Sequence, residues 1–270
     1  MPLGFKSSEL FGVKVTPTTM DDLFTLMDRS VAAKDQVVIA SLNLHGMYKL
    51  FKDDVFRTLH DDPKTCVHID GTPIIWLGKA AGLSLNGQHR TGWIDWFLPL
   101  MERAQRSGWR VYYLGGTEEV LTGGLARLRG EFPELAIDGH NGYFDARPDS
   151  AANTAVVDHI NRFEPHILIV GMGMGRQEHW ISANRENLRT NCIGTSGACM
   201  EYFAGVVPTA PRWLAPLGLE WLYRLLSDPA RFWRRYLVEP WVVAWFLLTR
   251  TNRKRRRAAA AAAEAERSSS

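Results

Sequence analysis

Residues 166–180 read HILIVGMGMGRQEHW, an unbroken apolar run followed by a glycine-rich turn and a polar segment. The run Ile167–Val170 is typical of a strand that is buried on both faces. Such strands belong to parallel sheets, whose crossover connections place helices against both faces of the sheet. This stretch therefore predicts an α/β fold with a strand-to-helix junction at about residues 171–176.

The same alternation extends outward from this stretch through most of the chain. Strands are predicted at residues 36–42, 65–69, 109–114, 135–138, 166–170 and 191–194. Helices are predicted at about residues 73–82, 94–107, 117–131, 150–163 and 177–188. Thr72-Pro73 places a capping hydroxyl before a proline at the first helical position, and Glu118 and Glu119 put acid in another first turn. The pattern predicts a Rossmann-like, largely parallel sheet flanked by helices.

Prolines end this alternation at Val207-Pro208-Thr209-Ala210-Pro211. Beyond them the chain is helical in character and rich in Trp and Arg, and it finishes in an alanine-rich and serine-rich tail. We therefore predict an α/β catalytic domain at residues 1–208, a helical appendage at 209–252, and a basic, low-complexity tail at 253–270.

Composition limits the classes of protein that fit. The 270 residues are 46% hydrophobic, which is enough for one sizeable core and a small appendage. Cys66, Cys192 and Cys199 form no CxxC pair, so we expect reduced core thiols in a cytosolic compartment. Residues 1–10 lack the pattern of a signal peptide, and the longest apolar stretch, residues 241–248, is far shorter than the roughly 20 residues that span a bilayer.

Asp70 is the first candidate for chemistry, in the segment His68-Ile69-Asp70-Gly71-Thr72. It follows a predicted strand directly, and ligands of open α/β sheets bind outside the carboxyl ends of the strands. Gly71 allows the backbone to turn tightly beside this carboxylate. An Asp-Gly turn without a chemical role explains the same residues, so both interpretations stay open at this point.

The glycine-rich turn after Val170 is the second candidate. Gly171 and Gly173 would let a ligand approach the backbone, the following helix N-terminus would offer N–H groups to phosphate, and Gln177 and Glu178 would hold polar groups of a donor. The dinucleotide fingerprint GxGxxG fails because Arg176 occupies the third glycine position. A turn that only packs the helix on the strand remains an alternative.

Two further polar residues stand near predicted strand ends or turns. Asn43 could donate to a sugar or a phosphate, or it could simply cap a helix. Arg90 could neutralise phosphate, although many single arginines are only solvated. The sequence lacks an Asp-x-Asp pair, zinc-ligand spacing, a GxSxG elbow and a P-loop, which disfavours metal-dependent transferases of that type, serine hydrolases and P-loop enzymes.

The appendage combines tryptophans with arginines. Trp213, Trp221, Trp233, Trp241 and Trp245 alternate with basic residues. A helix of this composition that is too short to span is typical of an element lying on a bilayer surface. The cluster at residues 253–257 would add attraction to anionic lipid. Core packing of the tryptophans and nucleic-acid binding by the basic run are the alternatives, but no groove-binding motif supports the latter.

Taken together, these motifs resemble the WecG/TagA/CpsF glycosyltransferases, glycosyltransferase family 26. The resemblance covers about residues 10–250. It rests on Asn43, Asp70-Gly71, Gly142-Tyr143-Phe144, the segment 171–180, Ala210-Pro211-x-Trp213 and the stretch from Gly218 to Tyr236. Thr209 departs from the arginine that often precedes Ala-Pro in that family, and Arg90 lies one residue closer to Gly92 than the family pattern places it.

The resemblance implies an inverting hexosyltransferase that moves a sugar from a UDP-sugar to an undecaprenyl-diphosphate-linked saccharide in bacterial envelope or exopolysaccharide synthesis. It implies Asp70 as the general base, and a donor site around Gln177 that includes Asn43, Arg90, Gly171, Gly173 and Glu178. It also implies that Arg224, Arg231, Arg234 and Arg235 reach the acceptor diphosphate.

The expected partners are the UDP-sugar, the lipid-linked acceptor and an anionic membrane surface, without nucleic acid; homo-oligomerisation stays open. We expect no metal or other cofactor, and a peripheral position on the cytoplasmic face of the bacterial inner membrane. A nucleotide-dependent oxidoreductase is disfavoured because the dinucleotide fingerprint is absent. A non-catalytic scaffold on the membrane surface is the remaining alternative.

Overall fold

A six-stranded parallel sheet forms the centre of the molecule. The computed structural model describes residues 4–214 and 217–249. The strands are β1 (Ser8–Leu10), β2 (Val13–Val15), β3 (Val37–Leu42), β4 (Thr65–Ile69), β5 (Val111–Gly115), β6 (Ile137–His140), β7 (Ile167–Gly171) and β8 (Cys192–Thr195). β1 and β2 form a separate antiparallel hairpin, while the other strands pair in parallel in the order β4-β3-β8-β7-β5-β6.

Helices cover both faces of this sheet. They are α1 (Met20–Ala33), α2 (Leu44–Lys52), α3 (Asp54–Asp61), α4 (Thr72–Ala80), α5 (Trp93–Ser107), α6 (Glu118–Glu131), α7 (Ala151–Phe163), α8 (Arg176–Asn184), α9 (Cys199–Phe203), α10 (Glu220–Ser227) and α11 (Pro229–Trp233). The sequence prediction of a Rossmann-like parallel sheet flanked by helices is confirmed.

Alternation along the strands builds two cores. In β7, Ile167 and Ile169 belong to the core under α1, α5 and α6, whereas Leu168 and Val170 belong to the core under α7 and α8. Successive strand side chains point to opposite faces, so an all-apolar strand supplies both cores at once. This explains why the run at residues 167–170 contains no polar residue.

The β1-β2 hairpin and helices α1, α2, α3 and α9 were not predicted from the sequence. α1 carries a recognisable start signal, because Thr19 and Asp22 form a capping box. In α2 and α3 the cap is an asparagine or aspartate that also follows another element, so the helix start is concealed in a strand end or a short connection. Each of the six predicted core strands is present with ends shifted by no more than a few residues.

The C-terminal segment, described at residues 209–214 and 217–249, packs on the α/β core. After α11 the chain makes a π-helical turn at Arg234–Val238 and continues as helix through residues 239–249. Pro240 explains the irregular turn, because it cannot donate a helical hydrogen bond and its ring displaces the carbonyl four residues earlier. Val243 is buried in a third core with β4 and α2, and Phe246 stacks on Phe51 at 4.9 Å.

The tryptophans of this segment are not core residues. Trp213, Trp241 and Trp245 are 67%, 77% and 67% exposed, and Trp233 is 52% exposed. Core packing, the alternative considered for these side chains, is therefore wrong for most of them. Within the described part of the chain, no helix has the length and apolar character that crossing a membrane requires. The division at residue 208 stays a prediction, and the basic cluster at 253–257 lies outside the described residues.

Candidate active site

A cavity of about 470 Å³ lies where four neighbouring strands end. Residues directly after β3, β4, β7 and β8 line one side of it, and residues of α10, α11 and the π-helical turn line the other. Ligands of parallel α/β sheets bind in this position, because the loops at the carboxyl edge diverge and leave a crevice. The cavity is therefore the candidate active site, and the C-terminal segment forms part of its wall.

Asp70 lies in the cavity wall directly after β4, where the sequence predicted it. Its Oδ2 accepts a hydrogen bond of 3.0 Å from Nδ2 of Asn43, which follows the adjacent strand β3. Oδ1 of Asn43 accepts from the backbone N–H of Gly46, so the same side chain caps α2. The helix-cap interpretation of Asn43 is therefore confirmed, and the cap also fixes the amide that bonds to the Asp70 carboxylate, while donation to a sugar or a phosphate stays a prediction.

Two more carboxylates and one guanidinium lie close to Asp70. Arg90 donates to Asp95 at 3.0 Å and to Glu220 of α10 at 3.3 Å. A methyl group at Gly92 would lie 3.2 Å from Oδ1 of Asp70 and 3.1 Å from Oδ2 of Asp95, so a side chain at position 92 would press against both carboxylates. Arg90 lines the cavity as predicted, but its ion pairs link the α/β core to the C-terminal segment.

A buried polar network lies beneath Asp70. The His68 ring bonds to the hydroxyl of Ser41 on one side and of Thr91 on the other, each at 2.9 Å. Burial lowers the pKa of His68 to about 4, although the Asp70 carboxylate opposes this shift. His68 is therefore neutral at pH 7, and Asp70 has no cationic partner behind it in β4.

The glycine turn after β7 contributes one open position and one packed position. Gly173 lines the cavity with a φ of +87°, and a methyl group there would meet nothing within 4 Å. Gly171 is different, because a methyl group there would lie 2.0 Å from the Tyr113 hydroxyl. It does not line the cavity. The predicted close approach of a ligand thus has room at Gly173, while Gly171 serves packing between strands.

Gln177 and Glu178 are more buried than the sequence prediction assumed. Gln177 lines the cavity but is only 1% exposed, and Glu178 is fully buried behind it. Nε2 of Gln177 donates to Oε1 of Glu178 at 2.8 Å, and Oε1 of Gln177 accepts from the N–H of Gly197 at 3.0 Å. Glu178 does not line the cavity, so the structure does not place it where it would touch a bound donor.

Arginines of the C-terminal segment face Asp70 across the cavity. Arg224, Arg231 and Arg235 line the cavity, whereas Arg234 is exposed and does not. The structure therefore separates Arg234 from the other three members of the predicted set. The guanidinium of Arg224 lies over the Tyr202 ring at 5.0 Å. Burial disfavours its charge, but the nearby Tyr202, Tyr236, Asp70 and Glu220 outweigh this and raise its pKa.

Several cavity residues were not predicted as site residues. His45 bonds to Glu239 through Nδ1 at 2.5 Å and ties α2 to the C-terminal segment. Burial lowers the pKa of His45 despite the Glu239 carboxylate. Tyr202 and Asp95 also line the cavity. No local signal marks His45 and Tyr202, because their partners Glu239 and Arg224 are remote in sequence.

In residues 4–214 and 217–249, no group of three or more His, Cys, Asp or Glu side chains is arranged to hold a metal ion. Among the side chains that line the described cavity, Arg224, Arg231 and Arg235 offer cationic donors to an anionic ligand.

Comparison with known proteins identifies the relatives of this chain. A family model described as "Glycosyl transferase WecG/TagA/CpsF family" matches residues 8–258. An N-acetylglucosaminyldiphosphoundecaprenol N-acetyl-beta-D-mannosaminyltransferase of Bacillus subtilis (strain 168) is 29% identical over 220 residues, which cover 80% of this chain and 81% of the relative. The protein of the same name from Staphylococcus aureus (strain MW2) is 31% identical over 147 residues, so the match spans about half of each chain, 54% in both cases.

Proposed function

The chain belongs to the WecG/TagA/CpsF glycosyltransferase family, and on this premise we propose that it transfers a sugar from a UDP-sugar to an undecaprenyl-diphosphate-linked saccharide. The names of the similar proteins specify a saccharide carried on diphosphoundecaprenol as acceptor. The single observation that carries the proposal is a cavity with a held carboxylate, Asp70, on one wall and the arginines Arg224, Arg231 and Arg235 on the other.

In the proposed reaction, Asp70 is the general base. A hydroxyl oxygen of the acceptor sugar attacks the anomeric carbon of the donor, and its proton passes to the Asp70 carboxylate. The bond between the anomeric carbon and the diphosphate oxygen breaks, and UDP leaves with both electrons of that bond. A single displacement of this kind inverts the anomeric configuration. General-base catalysis typically contributes about 10² to 10⁴ in rate.

Asn43 and the neutral His68 network support this role. The Asn43 amide donates to Oδ2 of Asp70, which turns the other carboxylate oxygen toward the corner at Gly92. The His68 imidazole beneath Asp70 is neutral, so it forms no ion pair with the carboxylate. Arg90 is paired with Asp95 and Glu220, so we propose that it holds α10 beside the base.

We propose that Arg224, Arg231 and Arg235 bind a diphosphate. Arginine presents several N–H donors in a planar fork that matches phosphate oxygens. The guanidinium of Arg224 lies over the Tyr202 ring, and its raised pKa keeps it charged at any physiological pH. Because these residues belong to the segment that carries the exposed tryptophans, the diphosphate of a lipid-linked acceptor suits them better than that of a free nucleotide.

The direct test is transfer by the purified protein. A panel of UDP-sugars is offered with a short-chain polyprenyl-diphosphate-linked N-acetylglucosamine, and lipid-linked disaccharide is measured by mass spectrometry. Formation of disaccharide with one donor supports the proposal and identifies the sugar. If none of the donors yields product while the protein remains folded and bound to vesicles, a membrane-surface scaffold becomes the better interpretation.

Transfer is expected to proceed without a divalent metal ion. The leaving diphosphate of UDP would be stabilised by backbone N–H groups at the strand ends, whose dipoles would take the place of a metal ion. Treatment with EDTA should therefore leave kcat within about twofold of the untreated protein, because it would remove no group that lowers the activation free energy. Strict dependence on added Mg²⁺ or Mn²⁺, measured in the same assay, would contradict this.

We also propose that the protein lies on the cytoplasmic face of the inner membrane through the C-terminal segment. Trp241 and Trp245 are 77% and 67% exposed on consecutive turns of one helix. Burying about 100 Å² of each ring at the interface would contribute about 2.5 kcal/mol per residue. The double variant Trp241→Ser/Trp245→Ser should thus lose about 5 kcal/mol, which corresponds to more than about 10³-fold in affinity for anionic vesicles.

The vesicle measurement is co-sedimentation with phosphatidylglycerol-containing liposomes at low and high salt. Leu98→Ser is a suitable control, because Leu98 is an exposed apolar residue of α5 that lies outside the C-terminal segment. Equal binding of the double variant and the unchanged protein would show that these tryptophans do not contact lipid.

A further inference from the structure

Glu178 connects two loops of the cavity although it does not reach the cavity itself. Its Oε2 accepts from the backbone N–H of Gly175 at 2.5 Å, and its Oε1 accepts from Nε2 of Gln177 at 2.8 Å. Gln177 in turn accepts from the backbone N–H of Gly197 with its Oε1 at 3.0 Å. One carboxylate is thus bonded to the loop that follows β7 and, through one amide, to the loop that follows β8.

Both loops line the candidate active site. Gly173 and Met174 belong to the loop after β7, and Ser196 to Ala198 belong to the loop after β8. Their strands are neighbours in the sheet, so the loops diverge from adjacent points at its edge. The bond from Gly197 to Gln177 is a direct cross-connection between them, and Gln177 is held in place for it by Glu178.

We propose that Glu178 is a positioning residue that holds these two loops in one arrangement through Gln177, so that the cavity is preformed for a nucleoside diphosphate. This proposal rests on the proposed function for the identity of the ligand. The connection between the loops is independent of it and can be measured without any ligand.

The arrangement requires an ionised carboxylate. Only the ionised form of Glu178 accepts two hydrogen bonds without presenting its own proton, because a protonated oxygen is a donor that would face another N–H donor. Glu178 is fully buried, and burial raises its pKa from the ordinary value of 4.5 to about 7, although the bonds from Gln177 and Gly175 oppose this.

Few charges compensate for this burial. Lys49 of α2 interacts electrostatically with Glu178, and its Nζ lies 3.1 Å from where a methyl group on Gly175 would be. His179, the next residue, is turned toward Asp53 and bonds to it at 2.7 Å. The nearby charges thus comprise one lysine and one external His–Asp pair.

A buried carboxylate of this kind costs stability. The pKa of Glu178 is higher in the folded than in the unfolded protein, so the folded protein holds the proton more tightly. The contribution of Glu178 to the free energy of unfolding therefore declines as pH rises from about 4.5 to about 7. A glutamine or an apolar residue would avoid this cost. The glutamate is therefore better explained by the two hydrogen bonds it accepts than by the stability of the fold.

The test compares Glu178→Gln with two other variants. The glutamine keeps the shape but offers only one acceptor oxygen, so one of the two bonds is lost. Gln177→Met removes the cross-connection and leaves Glu178 in place. Asn184→Ala is the matched control, since Asn184 is a buried polar residue of the same helix that bonds to Asn153 and Trp180 and touches neither loop.

The first measurement is hydrogen exchange by mass spectrometry on the ligand-free protein, with rates corrected for intrinsic exchange at pH 6 and pH 8. We expect Glu178→Gln and Gln177→Met each to accelerate exchange at residues 195–199 by at least about fivefold at pH 8, and the double variant to add little to either. The unchanged protein should exchange faster in this loop at pH 6 than at pH 8. Asn184→Ala should keep that pH dependence.

The second measurement is the affinity for UDP by calorimetry over the same pH range. The unchanged protein and Asn184→Ala should bind UDP more tightly as pH rises through about 7, beyond the change caused by ionisation of UDP itself. Glu178→Gln should bind more weakly and lack the additional pH dependence. The ionisation of UDP affects the affinity of Glu178→Gln and of Asn184→Ala equally. The difference between these two variants therefore reports only the titration of Glu178.

Unchanged exchange at residues 195–199 in Glu178→Gln would overturn the proposal, whatever the affinity for UDP. The other outcome is faster exchange in that loop of Glu178→Gln together with no binding of UDP by the unchanged protein. This result would support the connection between the loops and refute UDP as part of the donor. The two failures are therefore distinguished by the ligand-free measurement.

Discussion

Replacing Asp70 by asparagine is expected to lower kcat by about 10² to 10⁴-fold while the fold and the affinity for UDP are preserved. Asparagine has the same shape but cannot accept the hydroxyl proton, so it removes the base without opening a hole. Asp70 lies at the end of β4 with Oδ2 bonded to the Asn43 amide, and that bond can still be accepted by the new side-chain oxygen.

The decisive comparison is with Asp95→Asn, the same chemical change in the same cavity. Asp95 bonds to Arg90 at 3.0 Å, and its loss would disturb that ion pair rather than remove a base. We expect kcat of Asp95→Asn to fall by about tenfold or less, because only one partly exposed ion pair is weakened. Circular dichroism and UDP titration establish folding and binding for both variants. Near-normal kcat for Asp70→Asn would remove it as the base, and equal losses in the two variants would mean that the cavity needs negative charge in general.

Replacing Arg224 by glutamine is expected to reduce kcat/KM for the lipid-linked acceptor by about 10 to 150-fold. Hydrogen bonds to charged groups contribute about 1.5 to 3 kcal/mol each, and at least one bond to a diphosphate oxygen would be lost. The residue lies over Tyr202 and faces the cavity wall that holds Asp70. Arg224→Lys should recover only part of the loss, since lysine keeps the charge but lacks the planar fork.

Arg234→Gln is the matched control for this experiment. Arg234 belongs to the π-helical turn of the same segment but is exposed and outside the cavity. With a soluble, short-chain acceptor that retains the diphosphate, this variant should resemble the unchanged protein. Steady-state kinetics with each substrate varied in turn separate the two sites. A rise in donor KM alone for Arg224→Gln would assign this arginine to the donor diphosphate instead.

The family and the architecture were predictable because they depend on local signals. Apolar runs such as Ile167–Val170 form two-sided strands wherever they occur in an α/β chain, and all six core strands were predicted near their observed positions. Asp70 and Asn43 were recognisable for a related reason, since a residue that follows a parallel strand directly must lie at the edge where ligands bind.

Tertiary structure decided what each of these residues touches. The sheet order β4-β3-β8-β7 brings Asn43 beside Asp70 and the loop after β8 beside Gln177, although the members of each pair are 27 and 20 residues apart in the chain. Gln177 and Glu178 look alike in sequence as polar residues that open a helix. Only the fold shows that Glu178 is fully buried and bonded behind the loops.

The C-terminal segment shows most clearly the difference between what the sequence predicts and what the tertiary structure decides. Its tryptophans and arginines predicted a surface helix by composition alone, and exposed tryptophans were found. Composition could not separate Arg224, Arg231 and Arg235 from Arg234, because it gives the residue types of the segment but not which side chains line the cavity. The sequence alone indicates which apolar runs form buried strands, since that signal lies in neighbours along the chain. The partners across the cavity depend on how the sheet and the C-terminal segment pack, and packing joins residues that the chain keeps far apart.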